Sequence, residues 1–139
     1  MRQLHDTLVV RTSGRGMTDV TDRVARLVAR SGVTSGSCTL AMLHTSASLL
    51  VQENADPAVR RDLEAFLARL CPEQPGLYEH DDEGPDDMPS HLRAALLPSS
   101  LTLPIEGGAL RLGTWQGIFA CEHRTAPRDR RIAVHCWGE

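Results

Sequence analysis

One stretch of the chain, "ENADPAVRRDLEAFLARLCP", carries start, face and stop signals for a helix, and the runs on either side of it read as strands. Asp56 is suited to cap and Pro57 to take the first helical position. Val59, Leu63, Phe66, Leu67 and Leu70 make one apolar stripe that ends before Pro72. Arg60, Arg61, Asp62, Glu64 and Arg69 lie largely off that stripe, as a solvated face would. A one-sided helix needs another layer to cover its stripe, and the rest of the chain supplies strands.

"QLHDTLVVRT" is rich in β formers and reads as a strand in which His5 is structural. In "TDVTDRVARLVARSG", Val20, Val24, Leu27 and Val28 recur at helical spacing and Gly32 offers a stop. "GSCTLAMLHTSASLLVQ" reads as two strands, Cys38 to His44 and Ser46 to Gln52, joined by a polar kink. "MPSHLRAALLP" predicts a short third helix, started by Asp87 or Met88 and stopped by Pro98. "LTLPIEGGALRLG" predicts a hairpin about Gly107-Gly108, and "TWQGIFACEH" and "RRIAVHCWGE" predict two more strands. Strands outnumber helices. The economical architecture is α+β, one domain over residues 1–139, with an antiparallel sheet or sandwich covered by two or three helices.

Composition removes several chemistries. All 15 basic side chains are arginine, so Schiff-base chemistry, a lysine general base and a P-loop lysine are excluded. The net charge of −3 offers no field for a polyanion, and nucleic acid is not an expected partner. No apolar window nears the roughly 20 residues that cross a bilayer, so a cytoplasmic protein without a membrane partner is expected. Cys38, Cys71, Cys121 and Cys136 are scattered without a C-x-x-C pair and read as reduced structural thiols.

The segment "HDDEGPDDMPSH" sets His80 and His91 around Asp81, Asp82, Glu83, Asp86 and Asp87. Gly84-Pro85 forces a turn that lets the two ends approach. His91 falls in the first turn of the third helix, whose dipole favours the neutral, metal-binding imidazole. By period-two counting His44 ends the apolar row Cys38, Leu40, Met42, at the rim of the core. If the loop closes against that rim, His44, His80 and His91 make an open site for a divalent metal. The ligand type points to zinc, nickel, iron or manganese, and calcium is a poor match. The carboxylates can orient imidazoles, cap the helix or face water.

A second cluster, "CEHRTAPRDRR", holds His123, Arg124 and Arg131 in a turn that is either solvated or able to grip a phosphate or carboxylate. In the strand before it, Thr114 and Gln116 alternate with Trp115, which reads as core.

The runs "LHTSASLLVQENADPAVRRDLEAFL", "YEHDDEGPDDMPSH" and "LRLGTWQGIFACEHR", with the terminal "GE", strongly resemble the YjbQ-like family, also named secondary thiamine-phosphate synthase enzymes. The resemblance implies a seven-stranded two-sheet β-sandwich in a homotrimer, with histidines at positions 44, 80 and 91 as metal or anion ligands. It also marks Glu53, Asn54, Asp87, Thr114 and Gln116, and His123 in part of the family. The implied activity joins a pyrimidine diphosphate to a thiazole phosphate, releasing pyrophosphate and thiamine phosphate. On that reading a metal, zinc first and magnesium the usual ion of diphosphate chemistry, serves a phosphorylated small molecule. Glu53, Asp87 and Gln116 are the catalytic candidates. Asn54, Thr114, His123, Arg124 and Arg131 hold the substrate. Metal-water hydrolysis or lyase chemistry, and a trimeric anion-binding protein without catalysis, are the alternatives.

Overall fold

The computed structural model describes residues 1–139. In chain order the elements are β1 (Arg2–Arg11), β2 (Gly16–Asp19), α1 (Thr21–Ser31), β3 (Ser35–Met42), β4 (Ala47–Glu53), α2 (Pro57–Leu70), α3 (Asp87–Leu96), β5 (Ser100–Glu106), β6 (Ala109–Leu110), β7 (Gln116–Glu122) and β8 (Asp129–Gly138). They form an α+β sandwich of two sheets, ordered β1-β8-β3-β5-β6 and β2-β7-β4, and every ladder is antiparallel. Eight strands form where the resemblance implies seven. β6 has only two residues, closing the predicted hairpin about Gly107-Gly108, and β2 is a four-residue edge strand without an apolar alternation.

The inward rows of both sheets make the core: Leu8 and Val10 of β1, Leu40 and Met42 of β3, Leu49 of β4, Ile118 of β7, and Ile132 and Val134 of β8. Helix α1 adds Val24 and Val28, which its 3.6-residue period places on one side. Its start is fixed by Asp19, whose carboxylate accepts from the Thr21 N–H at 2.9 Å, and its end by Gly32, which turns into the left-handed region at φ 72°. Helix α2 begins as its sequence dictates: Asp56 accepts from the Ala58 N–H at 2.9 Å, with Pro57 in the first turn. It buries little, since Leu67 is its one buried residue and Phe66 and Leu70 are about half exposed.

Two readings shift. Trp115, expected in the core, is 63% exposed. β7 starts one residue later, and Trp115 sits in a turn closed by the Gln116 side chain accepting from the Gly113 N–H at 2.8 Å, so strand parity does not reach it. His91 lies one turn inside α3 rather than in its first turn, because the helix already begins at Asp87. All four cysteines are buried free thiols, and burial pushes the Cys38 and Cys121 thiols up to about 12. No helix is long and apolar enough to cross a membrane.

Candidate metal centre

The acidic bend between α2 and α3 folds back on itself. His80 Nε2 stands 2.6 Å and His91 Nε2 3.2 Å from the same oxygen, Asp87 Oδ2. The two rings are 5.6 Å apart between centroids, and Glu83 Oε2 approaches His80 Nε2 at 3.2 Å. His80, Glu83, Asp87 and His91 each offer one ligand atom, and these atoms lie within 4.8 Å of one another. The spacing follows from local structure. Asp87 and His91 are four residues apart on α3 and therefore share a helix face, while the turn at Gly84, with φ 102°, returns His80 and Glu83 to it.

The hydrogen bonds fix one tautomer. His91 Nδ1 lies 3.0 Å from the Thr45 carbonyl, which can only accept, so Nδ1 carries the proton. A neutral His91 then points its Nε2 lone pair at a carboxylate oxygen. That pairing is repulsive until a proton or a cation comes between them.

Arg124 organises the other side of the bend. Its Nη1 donates to Asp87 Oδ1 at 2.7 Å, its Nε to Asp86 Oδ2 at 2.8 Å and its Nη2 to the Glu83 carbonyl at 2.9 Å. Asp86 also accepts from the Thr125 N–H at 2.9 Å. Burial works against ionisation of Asp86 and Asp87, but these donors and the neighbouring cations outweigh it and hold both carboxyls below their usual range. The hydrogen bond to Asp87 raises the His80 pKa. Arg124, expected to grip a substrate anion, is thus committed to the protein's own acids. Its neighbour Arg130 is likewise committed, with Nε 2.7 Å from buried Glu122.

The remaining sequence candidates lie elsewhere. His44 does not join the cluster: its Nε2 accepts from the Arg131 N–H at 2.8 Å, and burial followed by the Arg130 charge lowers its pKa. The Arg131 side chain is exposed and enters none of the chain's ion pairs. His123 is 1% exposed and bonds Ser48 Oγ at 2.9 Å, on the outer face of the three-stranded sheet. Glu53, Asn54, Thr114 and Gln116 gather at the far end of that sheet. There Glu53 accepts from the Asp56 N–H at 2.9 Å and the Asn54 N–H donates to the Trp115 carbonyl at 2.9 Å. The length of β4 separates them from Thr45 and His91, roughly 20 Å at strand rise. Glu83, one of the carboxylates whose role the sequence leaves open, belongs to the cluster; its three-residue spacing from His80 is the signal that singles it out.

A profile of the UPF0047 protein YjbQ-like family matches residues 6–139. The chain belongs to this family. The UPF0047 protein of Synechocystis is 48% identical over 99% of this chain and 94% of its own length. The UPF0047 protein YjbQ of Escherichia coli O157:H7 is 46% identical over 96% of each. The crystal structure of a YbjQ-like protein of unknown function from Sulfolobus solfataricus superposes with a TM-score of 0.90 at 25% identity, covering 99% of this chain and 98% of that one. A YjbQ/UPF0047 protein from Clostridium acetobutylicum gives 0.87 at 36% identity over 95% and 99%. The UPF0047 fold and membership are therefore common ground, and the names attach no reaction to it.

Proposed function

We propose that this UPF0047 protein is a cytoplasmic, metal-dependent enzyme acting on a phosphorylated small molecule at the acidic bend. The observation that carries the reading is the convergence of two imidazole Nε2 atoms on one Asp87 oxygen, with the His91 proton held on the far side of its ring. Two nitrogens and two carboxylates suit zinc first, then manganese, iron or nickel; they are not the all-oxygen set that magnesium prefers. A bound divalent ion would supply charge stabilisation for a leaving phosphate or a water of lowered pKa. Asp87 Oδ2 would join the two imidazoles as a ligand, Arg124 holds Asp87 in register through Oδ1, and Arg131, exposed on β8 and in no ion pair, is a cation left for an anion.

The finer reading is thiamine-phosphate synthase chemistry as a side activity, with another main substrate. Hydrolysis by metal-activated water is favoured by one observation: Arg124 and Arg130 are spent on carboxylates, which leaves few cations for two phosphorylated substrates at once. A homotrimer fits both. Glu53, Asn54, Thr114 and Gln116 lie too far from the bend of their own chain and enter the chemistry only from a neighbouring copy, a role supported by exposed Leu43, Leu96, Trp115 and Trp137.

Elemental analysis of freshly purified protein tests the centre, with one ion per chain expected and loss of that ion on His80→Ala. Metal-free protein with unaltered stability after chelation would favour a non-catalytic anion binder. Pyrophosphate release from pyrimidine diphosphate plus thiazole phosphate, set against phosphate release from single substrates, separates synthase from hydrolase. Mixing Glu53→Gln with His80→Ala chains restores activity if copies share sites, and light scattering then reads three times the 15.2 kDa chain.

A further inference from the structure

Between α2 and the outer face of the three-stranded sheet runs a groove of about 650 Å³, within the size range of small-molecule sites. Its floor is Met17, Leu50 and Cys121, and its roof is the stripe side of α2 with Leu63 and Leu67. One polar group breaks the apolar wall. His123 is 1% exposed, and its Nε2 is engaged by Ser48 Oγ. The other ring nitrogen has no hydrogen bond within the chain, yet the only sealed unpartnered side-chain atoms are Arg93 Nε and Arg128 Nε. His123 Nδ1 is therefore not sealed, and the residue that carries it lines the groove. Burial, then the charges of Arg93, Arg130 and Arg15, presses the imidazole down to about 4, so it meets a ligand as a neutral hydrogen-bonding group.

The charge of the lining has a definite sign. Its two glutamates are already matched, Glu64 by Arg93 at 2.8 Å and Glu122 by Arg130 at 2.7 Å. Its two arginines are not: Arg60 stacks on the Phe119 ring at 5.3 Å, and neither Arg60 nor Arg61 enters any of the chain's ion pairs. An apolar trough with two uncompensated guanidiniums on its α2 wall and a neutral imidazole inside selects one kind of occupant.

We propose that this groove is a second small-molecule site, separate from the acidic bend, for an amphipathic monoanion: an aryl or medium-chain carboxylate whose apolar body lies on Leu50, Leu63 and Leu67 and whose head meets Arg60 and Arg61. The polar atom of the body, where it has one, bonds His123 Nδ1.

The test uses the intact protein with anilinonaphthalenesulfonate, an aryl monoanion that fluoresces on burial, and its uncharged relative phenylnaphthylamine. Saturable binding at one site per chain is expected, displaced by octanoate and at least ten-fold tighter for the anion than for the neutral probe. Arg61 is exposed, so Arg61→Glu preserves the fold and should weaken the anion about ten-fold, while His80→Ala at the bend should leave it unchanged. Three results overturn the proposal: no saturable binding by wild-type protein, equal affinity for charged and neutral probes, or an Arg61→Glu affinity equal to wild type. If a second copy fills the groove, the first result appears, and Arg61→Glu alters the oligomeric state instead.

Discussion

Asp87 is the residue on which the candidate centre turns. One of its oxygens serves two imidazoles and the other is held by Arg124, so Asp87→Asn keeps the shape and removes the charge. The expected outcome is a fall in metal affinity of at least about 10-fold to 100-fold, the loss that removing a group which only orients a ligand already brings, with little change in near-ultraviolet circular dichroism, measured by competition with a chromophoric chelator. His123 gives a pH prediction whose sign is fixed. Its folded pKa, about 4, lies below the ordinary 6.5, so between those values the unfolded chain binds the proton and the folded chain does not. Stability is thus full above pH 6.5 and declines as pH falls toward 4, by on the order of 3 kcal/mol. Urea melts across that range should show the slope, and His123→Gln should flatten it.

Among the elements, α2 is the most exposed to a single loss, because it carries one buried residue and depends on its cap. Asp56→Ala should cost about 1 kcal/mol, seen as a lower denaturation midpoint and faster amide exchange over Pro57–Leu70. The cap and stripe of this helix were legible in the sequence because they are local: Asp56, Pro57 and the apolar period lie within a few residues. The hairpin at Gly107-Gly108 was legible for the same reason. Strand β2 was not, since Gly16–Asp19 has no buried residue and its identity comes from the ladder to β7, a hundred residues away. Trp115 escapes the parity rule because it lies in the turn before β7 begins. At the centre, His80, Asp87 and His91 were readable from the Gly84-Pro85 break and the helix period. The pairing of Arg124 with three acceptors of the bend was not, because it joins positions about 40 apart in sequence.

At the scale of the molecule, two sheets meet around an internal ion pair. Arg130 and Glu122 are nearly sealed, and Thr12 and Ser46 complete their hydrogen bonds. Burial opposes ionisation of Glu122, yet Arg130 and the surrounding donors keep its carboxyl below the usual range. Arg130→Met should therefore destabilise by about 3–5 kcal/mol in equilibrium urea unfolding, because it strands Glu122 without a counter-charge. Arg130→Met combined with Glu122→Gln should recover most of that loss. The end of β7 carries a heavier burden than its length suggests. Glu122 turns into the sandwich, His123 into the groove beneath α2, and Arg124 onto the acidic bend, three consecutive side chains with three destinations. A frame shift of one position there would misdeliver all of them together. On this stretch, length variation among descendants of the chain has room past Thr125, where the backbone has left the ladder and Ala126 and Pro127 are exposed, before the Arg128 backbone is held by Thr12.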